Sequence, residues 1–417
     1  MAVGDLTDWM DEYGRPGFVW YAKRLSGNDT LANGSHQAGP YIPKDFLFEI
    51  IPSLNRPEEL NPDARFELYV DSHPDVRTIR AVWYNNKLHG KTRNETRLTN
   101  FGGGQSALLD ADSTGALAVF AFAPELETAD ASCHVWLCDG GIQADLIEER
   151  LGPVEPKVPV VWRPGISEPQ ADLFAVTSAA RTSCWLDPAE MPPEWLIAFP
   201  SGREIIRKTM SLRPATGTNA DVRLMRRRAC EFEIFKSVEQ ATWMPKISEG
   251  FHTIDGFLGL ANTILQSRKS RAGKSLEYHA SAIFEEDGLL PGASFVHNPV
   301  IEGNKRPDFL FPNVQAYEDS TFPSSRLRML AAKTTCKDRW RQIISEADRI
   351  QTKHLLTLQE GVSPAQFQEM TEAGVRLVVP AGLHDAYPET VRPHLITFEE
   401  FIGDVRLNCD TGIKVQG

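Results

Sequence analysis

Two domains are expected, an antiparallel β-barrel or sandwich followed by an α/β domain, and three features of the sequence say so. The chain has 417 residues at 41% hydrophobic content, more than one domain usually holds and apolar enough for two packed cores. Its N-terminal part is built of short alternating runs broken by Gly, Asn, Asp and Pro. After Ser201 apolar residues recur at helical spacing between strand-like runs.

From Phe18 to about Ile147, runs such as Phe66-Glu67-Leu68-Tyr69-Val70 and Ala116-Leu117-Ala118-Val119-Phe120-Ala121-Phe122 read as half-buried antiparallel strands. Between Gly152 and Pro193 the prolines 153, 156, 159, 164, 169, 188, 192 and 193 break any long element, so the boundary and linker fall there. Helical spacing follows in Val222 to Val238, Ile254 to Ile264 and Trp340 to Leu355. Strands are expected at Leu327 to Thr335 and Gly374 to Pro380, and their alternation with helices predicts an α/β domain.

No apolar run is long enough to cross a bilayer, and Met1-Ala2-Val3-Gly4-Asp5 lacks the features of a secretory signal. A soluble, cytoplasmic protein with no membrane partner is expected. Cys133, Cys138, Cys184, Cys230, Cys336 and Cys409 form no C-x-x-C pair or zinc spacing, which reads as six reduced thiols, with a structural disulfide as the alternative. The net charge of −12 disfavours nucleic acid in bulk. Phosphates, however, respond to local fields over roughly 8 Å. Basic clusters lie at Lys87 to Arg97, Arg223 to Arg228, Arg268 to Lys274 and Arg326 to Arg341.

Pro307-Asp308-Phe309-Leu310-Phe311-Pro312 puts a carboxylate at the start of a short apolar strand, and a second strand ends in Lys333. This P-D…x-x-K arrangement suits phosphodiester hydrolysis, which needs carboxylates to hold Mg²⁺ and an ammonium group near the attacking water. Asp308 alone also fits a strand-start turn. The acid expected two positions before the lysine is missing, since Ala331 and Ala332 precede it. Glu346 stands thirteen residues beyond Lys333, on a helix predicted over Asp338 to Ile350 whose stripe Trp340, Ile343, Ile344, Ala347, Ile350 faces the sheet. Glu277, on a helix begun by Lys274, supplies a further carboxylate after the basic residues Arg268 and Arg271, which suit a phosphate-lined site. The Ala-Gly-Lys-Ser within this stretch is no P-loop, because Arg268 stands where that motif needs glycine.

The strings Arg268 to Glu277, Glu302 to Pro312 and Lys333 to Ile343 closely resemble the EcoRII-type family of type IIE restriction endonucleases. So do Tyr21 to Ser26, Asn28-Asp29-Thr30, Tyr41-Ile42-Pro43 and Gly90 to Glu95, in the same order along nearly the whole chain. The resemblance implies an N-terminal all-β effector-DNA domain in the pseudobarrel fold (1–175), a linker (176–193) and a C-terminal α/β PD-(D/E)xK restriction-endonuclease-like catalytic domain (194–417). It implies Asp308 and Glu346 as ligands of Mg²⁺, Lys333 on the nucleophilic water and Glu277 as an acid tuning the site. Cleavage would leave a 5′ phosphate and a 3′ hydroxyl.

The related enzymes recognise 5′-CCWGG, cut before the first cytosine to give five-base 5′ overhangs, act as homodimers and need a second site as activator. A cognate cytosine methyltransferase is the implied companion, in a bacterial cytoplasm. Family likeness makes Lys337, Asp338 and Arg339 readers of C·G pairs, since cationic donors bond guanine and a carboxylate accepts from cytosine. Asp338 also fits an N-terminal cap. Arg228 and Phe232, one helical turn apart, match an arginine and an aromatic that hold a flipped central base. Phe232 equally fits an ordinary apolar helix face. In the effector domain His36 and Tyr41 on one loop, and Lys91, Arg93, Asn94, Glu95 and Arg97 on another, match two DNA-gripping arms. The family also implies that this domain restrains the nuclease until effector DNA is bound. A non-cleaving DNA-binding regulator and a structure-selective repair nuclease of the same fold are the alternatives.

Overall fold

The computed structural model describes residues 3–34, 39–90, 92–102, 105–123, 132–164, 184–215 and 217–408. The chain divides into two compact units, one of residues 1–178, 359–368 and 385–393, the other of 179–358, 369–384 and 394–417.

The first unit is mostly strand. Its elements run α1 (Val3–Tyr13), β1 (Val19–Arg24), α2 (Lys44–Ile50), β2 (Asp63–Val70), β3 (Asp75–Tyr84), β4 (Glu95–Thr99), β5 (Leu117–Phe122), β6 (Ser132–Leu137), α3 (Gly141–Leu151) and β7 (Val160–Trp162). The strands form a single curled sheet in the order β4-β3-β2-β6-β5-β1-β7. Every neighbouring pair is antiparallel except β2 and β6, so the expectation of a wholly antiparallel sheet is corrected at that one pair.

Strand β2 alternates as its sequence predicts, with Phe66, Leu68 and Val70 buried. Strand β5 does not, because every one of its residues is buried. Ala118, Phe120 and Phe122 join Tyr21, Phe46 and Leu98 on one face. Leu117, Val119 and Ala121 join Leu6, Trp9, Trp20, Trp136 and Ile147 on the other. Helices α1 and α3 thus cover the face opposite α2, and a central strand covered on both sides has no polar side to show.

In the second unit the elements are α4 (Pro193–Ile197), α5 (Gly202–Leu212), α6 (Ala220–Glu249), α7 (Ile254–Glu286), β8 (Val296–His297), β9 (Phe309–Phe311), α8 (Val314–Glu318), β10 (Arg328–Ala332), α9 (Trp340–Ile343), β11 (Lys353–Leu356), α10 (Pro364–Glu372), whose last turn belongs here, β12 (Val375–Val378) and α11 (Phe398–Asn408). The sheet runs β12-β11-β10-β9-β8. Strands β10, β11 and β12 are mutually parallel, and β8, β9 and β10 antiparallel.

Local chemistry sets the helix ends. The Asn219 side chain accepts from Val222 N at the start of α6, and Thr253 does the same for Gly256 N at the start of α7. Buried Asp221 accepts from the backbone N–H groups of Phe398 and Glu399, capping α11 from a neighbouring helix. The Phe284 ring on α7 lies 5.2 to 5.5 Å from those of Phe295, Phe309, Phe311 and Phe398, which locks α7 and α11 onto the sheet around β9.

Several expectations are corrected here. The helix predicted over Asp338 to Ile350 is only the four-residue α9, followed by a turn in which Ala347 has φ 49°. Trp340, Ile343, Ala347 and Ile350 are buried as the stripe requires, but Ile344 is 39% exposed, because a chain that turns can bury the same residues without helical phase. The helical spacing read through Leu355 stops for the same reason, since Lys353–Leu356 is the parallel partner of β10. Helix α7 begins at Ile254 rather than Lys274, which makes Arg268 to Ser275 helix interior. Nor are all six cysteines thiols. Cys184 and Cys230 form a disulfide across 46 residues, a pairing that local spacing rules do not reach; Cys133, Cys138 and Cys336 are buried thiols, and Cys409 lies outside the described residues. Among the described residues no helix is long and apolar enough to cross a membrane.

Phe284→Ala should cost about 3–5 kcal/mol, as for other large rings removed from a core. Its measure is the urea midpoint of the second unit in the full chain, and an unchanged midpoint would count against this packing.

Candidate active site

The pairing of β9 with β10 brings the two motif residues together. Leu330 opposes Phe309, so Asp308, just before β9, comes alongside the end of β10. Its Oδ2 accepts from Ala332 N and from Lys333 Nζ, both at 2.8 Å. The Lys333 backbone N–H donates to Leu356 O at 2.9 Å, tying the lysine to β11 as well. Asp308 is 8% exposed and its carboxylate is satisfied by partners from two sources, a main chain and a cation.

Glu346 reaches the same place from the turn after α9. Its carboxyl is pushed up to about 7, by burial first and by the Asp308 charge second, with Lys333 and Lys353 pulling the other way. Its Oε2 is buried and has no hydrogen-bond partner. A buried, unsatisfied carboxylate oxygen is costly and asks for a ligand. Among the described residues no group of three or more His, Cys, Asp and Glu side chains forms a metal cluster. A hard divalent cation at a phosphodiester needs fewer, because it keeps waters and uses one or two carboxylates beside the phosphate. Asp308 with the orphaned Glu346 oxygen fits that requirement.

Glu277 on α7 approaches from the other side of β9. Its Oε2 meets His297 Nε2 at 2.9 Å and accepts from Asn298 Nδ2 at 3.2 Å, with Lys274 Nζ at 3.6 Å. Burial alone would raise its pKa, but these contacts outweigh burial and hold the carboxyl below its usual range. Asn298 N donates to Asp308 O at 2.9 Å, so Glu277 is linked to Asp308 through one residue. His297 and Asn298 were missed in the sequence because they belong to no spaced motif. Pairing of β8 with β9 is what delivers them, setting His297 opposite Phe309.

The sequence-predicted readers fall into two groups. Lys337, Asp338 and Arg339 are half-buried and lead into α9 only four residues beyond Lys333, Arg339 serving as its N-terminal flank. Arg228, Arg271 and Arg268 are engaged in ion pairs. Glu231, 2% exposed, accepts from Arg228 at 3.3 Å, Arg271 at 3.2 Å and Ser275 Oγ at 2.9 Å. Arg268 forms a two-pronged pair with Glu239 at 2.6 and 2.7 Å. Phe232 is half-buried, with the Arg271 guanidinium 5.0 Å above its ring. Glu231 and Ser275 went unnoticed because an internal partner for a cation carries no sequence signature. Beside them lies a cavity of about 580 Å³ between α5, α6 and α7, lined by Ser201, Glu231, Gln266, Arg271 and Tyr278 among others.

In the first unit the Tyr41 segment and β4 meet. Thr96 Oγ1 donates to Ile42 O at 2.6 Å, and a Cβ at Gly39 would stand 2.5 Å from Leu98 O, so only glycine permits this approach. Buried Asp29 accepts from Tyr41 N at 2.8 Å and from Lys23 Nζ at 2.8 Å, fixing the segment from behind. Tyr41 is 43% exposed. Burial, then the Glu95 charge, raises its hydroxyl pKa, which marks the two as neighbours. Arg93 donates to Glu95 at 2.6 Å and Arg97 at 3.4 Å, while Arg93 also lies 3.7 Å over the Tyr84 ring. Asn94 is exposed and accepts from Trp83 Nε1 at 2.9 Å. His36 and Lys91 lie outside the described residues.

Comparison with known proteins agrees with both halves. Residues 14–166 match the family model described as restriction endonuclease EcoRII, N-terminal, and residues 235–402 the one described as EcoRII C terminal. The Type II restriction enzyme EcoRII of Escherichia coli is 42% identical over 412 residues, 97% of this chain and 98% of that protein. The Type II restriction enzyme SsoII of Shigella sonnei is 29% identical over 153 residues, 35% of this chain and 48% of that one. Among solved structures, metal-depleted Ecl18kI in complex with uncleaved, modified DNA overlaps with a TM-score of 0.43 at 19% identity, covering 54% of this chain and 87% of that one. With both family models matched in order and that identity sustained over nearly its whole length, the chain belongs to the EcoRII family of type II restriction endonucleases.

Proposed function

We propose that this chain is a Mg²⁺-dependent type IIE enzyme that recognises 5′-CCWGG and cuts before the first cytosine, leaving five-base 5′ overhangs. It works as a homodimer in a bacterial cytoplasm beside a cognate cytosine methyltransferase, activated by a second copy of the site on its N-terminal unit. What carries the reading is the meeting of Asp308, Lys333 and the partnerless Glu346 oxygen beside β9 and β10 in a chain of this family.

Asp308 and Glu346 would hold Mg²⁺, which when bound supplies charge neutralisation at the scissile phosphate. Lys333 orients the attacking water with its ammonium group. Glu277, held ionised by its contacts with His297 and Asn298, adds negative charge behind Asp308. As the water oxygen bonds to phosphorus and gives up a proton to solvent, the bond from phosphorus to O3′ breaks and the departing O3′ takes up a proton, giving a 5′ phosphate and a 3′ hydroxyl.

Lys337, Asp338 and Arg339 read C·G pairs from beside the reacting phosphate. Arg228 and Phe232 receive the central base, with Glu231 and Ser275 steadying the arginine, while Arg268 and Arg271 attract the backbone. In the N-terminal unit His36, Tyr41, Lys91 and Asn94 grip the effector duplex, and Arg93, Glu95 and Arg97 read its bases.

Plasmid cleaved with Mg²⁺ should give discrete ends at 5′-CCWGG, and Lys333→Ala should slow cutting about 10³-fold. Random ends, or undiminished cutting by the variant, would refute the assigned site.

Since the Glu346 carboxyl titrates at about 7, a proton competes with the metal below that pH. The half-saturating Mg²⁺ concentration should therefore climb as pH falls from 7, by up to about tenfold per unit, and level off above it. A flat dependence between pH 6 and 8 contradicts the role of Glu346.

Arg93→Ala should lower stimulation of a one-site plasmid by added cognate duplex about 10-fold, within the range of one good base contact. Retained stimulation would remove Arg93 from the effector site.

A further inference from the structure

Glu346 lies in a turn, and a turn aims a carboxylate only when something else fixes it. Ala347, the next residue, has φ 49°, a left-handed conformation that costs an L-residue roughly 1–2 kcal/mol. Strain of this kind persists where surrounding contacts over-determine the backbone. Lys353, the first residue of β11, is 5% exposed, and its Nζ donates to Ala347 O at 2.6 Å and to Ile350 O. Its own backbone N–H donates to Gly374 O at 2.9 Å, so the anchor is part of the sheet.

A second tether holds the outer edge of the turn. Asp348 N donates to Glu302 Oε1 at 2.8 Å, and the same oxygen accepts from Tyr317 Oη at 2.7 Å. Arg349 N reaches Tyr317 Oη at 3.3 Å, and the Arg349 guanidinium donates to Asp319 O at 3.0 Å and Phe322 O at 2.8 Å. The main chain just beyond Glu346 is thus tied to β11 on one side and to α8 with its flanking loops on the other.

Taking a lysine out of water costs several kcal/mol, so an apolar residue would serve the core at least as well. What the lysine adds is a hydrogen bond to each of two carbonyls of the turn, Ala347 O, which also accepts from Ile350 N, and Ile350 O. We infer that Lys353 is a positioning residue for metal binding, holding the Ala347 to Ile350 turn so that Glu346 faces Asp308 and Lys333, with Glu302 as the outer support. The inference rests on the reading of Glu346 as a metal ligand.

The test titrates Mn²⁺ into the full chain, following free Mn²⁺ by electron paramagnetic resonance, alongside the Mg²⁺ dependence of plasmid cleavage. Lys353→Met should weaken Mn²⁺ binding about tenfold, the lower end of what loss of a ligand-orienting contact does. It should raise the half-saturating Mg²⁺ concentration by a similar factor, while the rate at saturating Mg²⁺ stays within a few-fold. Mn²⁺ affinity that falls with Glu346→Ala but not with Lys353→Met overturns the role of Lys353. Should Lys353→Met fail to fold, Glu302→Ala decides, since it removes the acceptor shared by Asp348 N and Tyr317 Oη and leaves Lys353 in place. About threefold weaker Mn²⁺ binding supports the tethered turn, and unchanged binding overturns it. Mn²⁺ affinity and cleavage both untouched by Glu346→Ala would overturn the ligand reading itself, and the inference with it.

Discussion

One carboxylate organises the second unit around the candidate active site. Asp308 accepts from the main chain of β10 and from the lysine that follows it, so the pairing of two short strands and the geometry of the site are the same interaction. The hydrogen bond from Asn298 to the Asp308 carbonyl extends this to β8 and thence to Glu277. The Phe284, Phe295, Phe309 and Phe311 rings fill the space behind β9, where any looseness would reach the carboxylate directly.

The three acids differ because their surroundings differ. Asp308 is paired with a cation, Glu277 is held low by hydrogen bonds that outweigh its burial, and Glu346 is pushed up by burial beside another carboxylate. Only Glu346 carries a buried oxygen that no protein group satisfies among the three. That oxygen is therefore the one of the three carboxylates' buried oxygens open to a ligand. Electrostatic positioning of a phosphodiester is the chemistry proposed for this site.

The residues proposed to meet effector DNA follow a different economy. Tyr41 and Asn94 are exposed and Arg93, Glu95 and Arg97 half-buried, while Asp29, Thr96, Trp83 and Tyr84 hold these residues or their neighbours in place. Rigid support under exposed polar groups lowers the entropy lost on meeting a partner. Arg228 and Arg271 of the second unit are likewise held in place by Glu231.

Much was legible in the sequence. Alternation and helical spacing located β2, α6 and the strand before Lys333, and long matched strings identified the family and pointed to Glu346 as the candidate for the acid missing before Lys333. These are local or linear signals, and linear signals survive in a sequence. The failures share a physical cause. Trp340 to Ile350 has a helical stripe, yet Glu302 takes the Asp348 N–H that a helix would use and Lys353 holds two carbonyls of the turn, and both act across the fold. Cys184 finds Cys230 across 46 residues, and His297 and Asn298 reach Glu277 only because β8 pairs with β9. The sequence by itself determined the two-part organisation and the family, and it singled out Asp308, Lys333 and Glu346 as candidates for the site. The tertiary structure decided which polar group answers which, because a buried donor or acceptor is satisfied by whatever the fold brings within 3 Å, and chain order does not say what that will be.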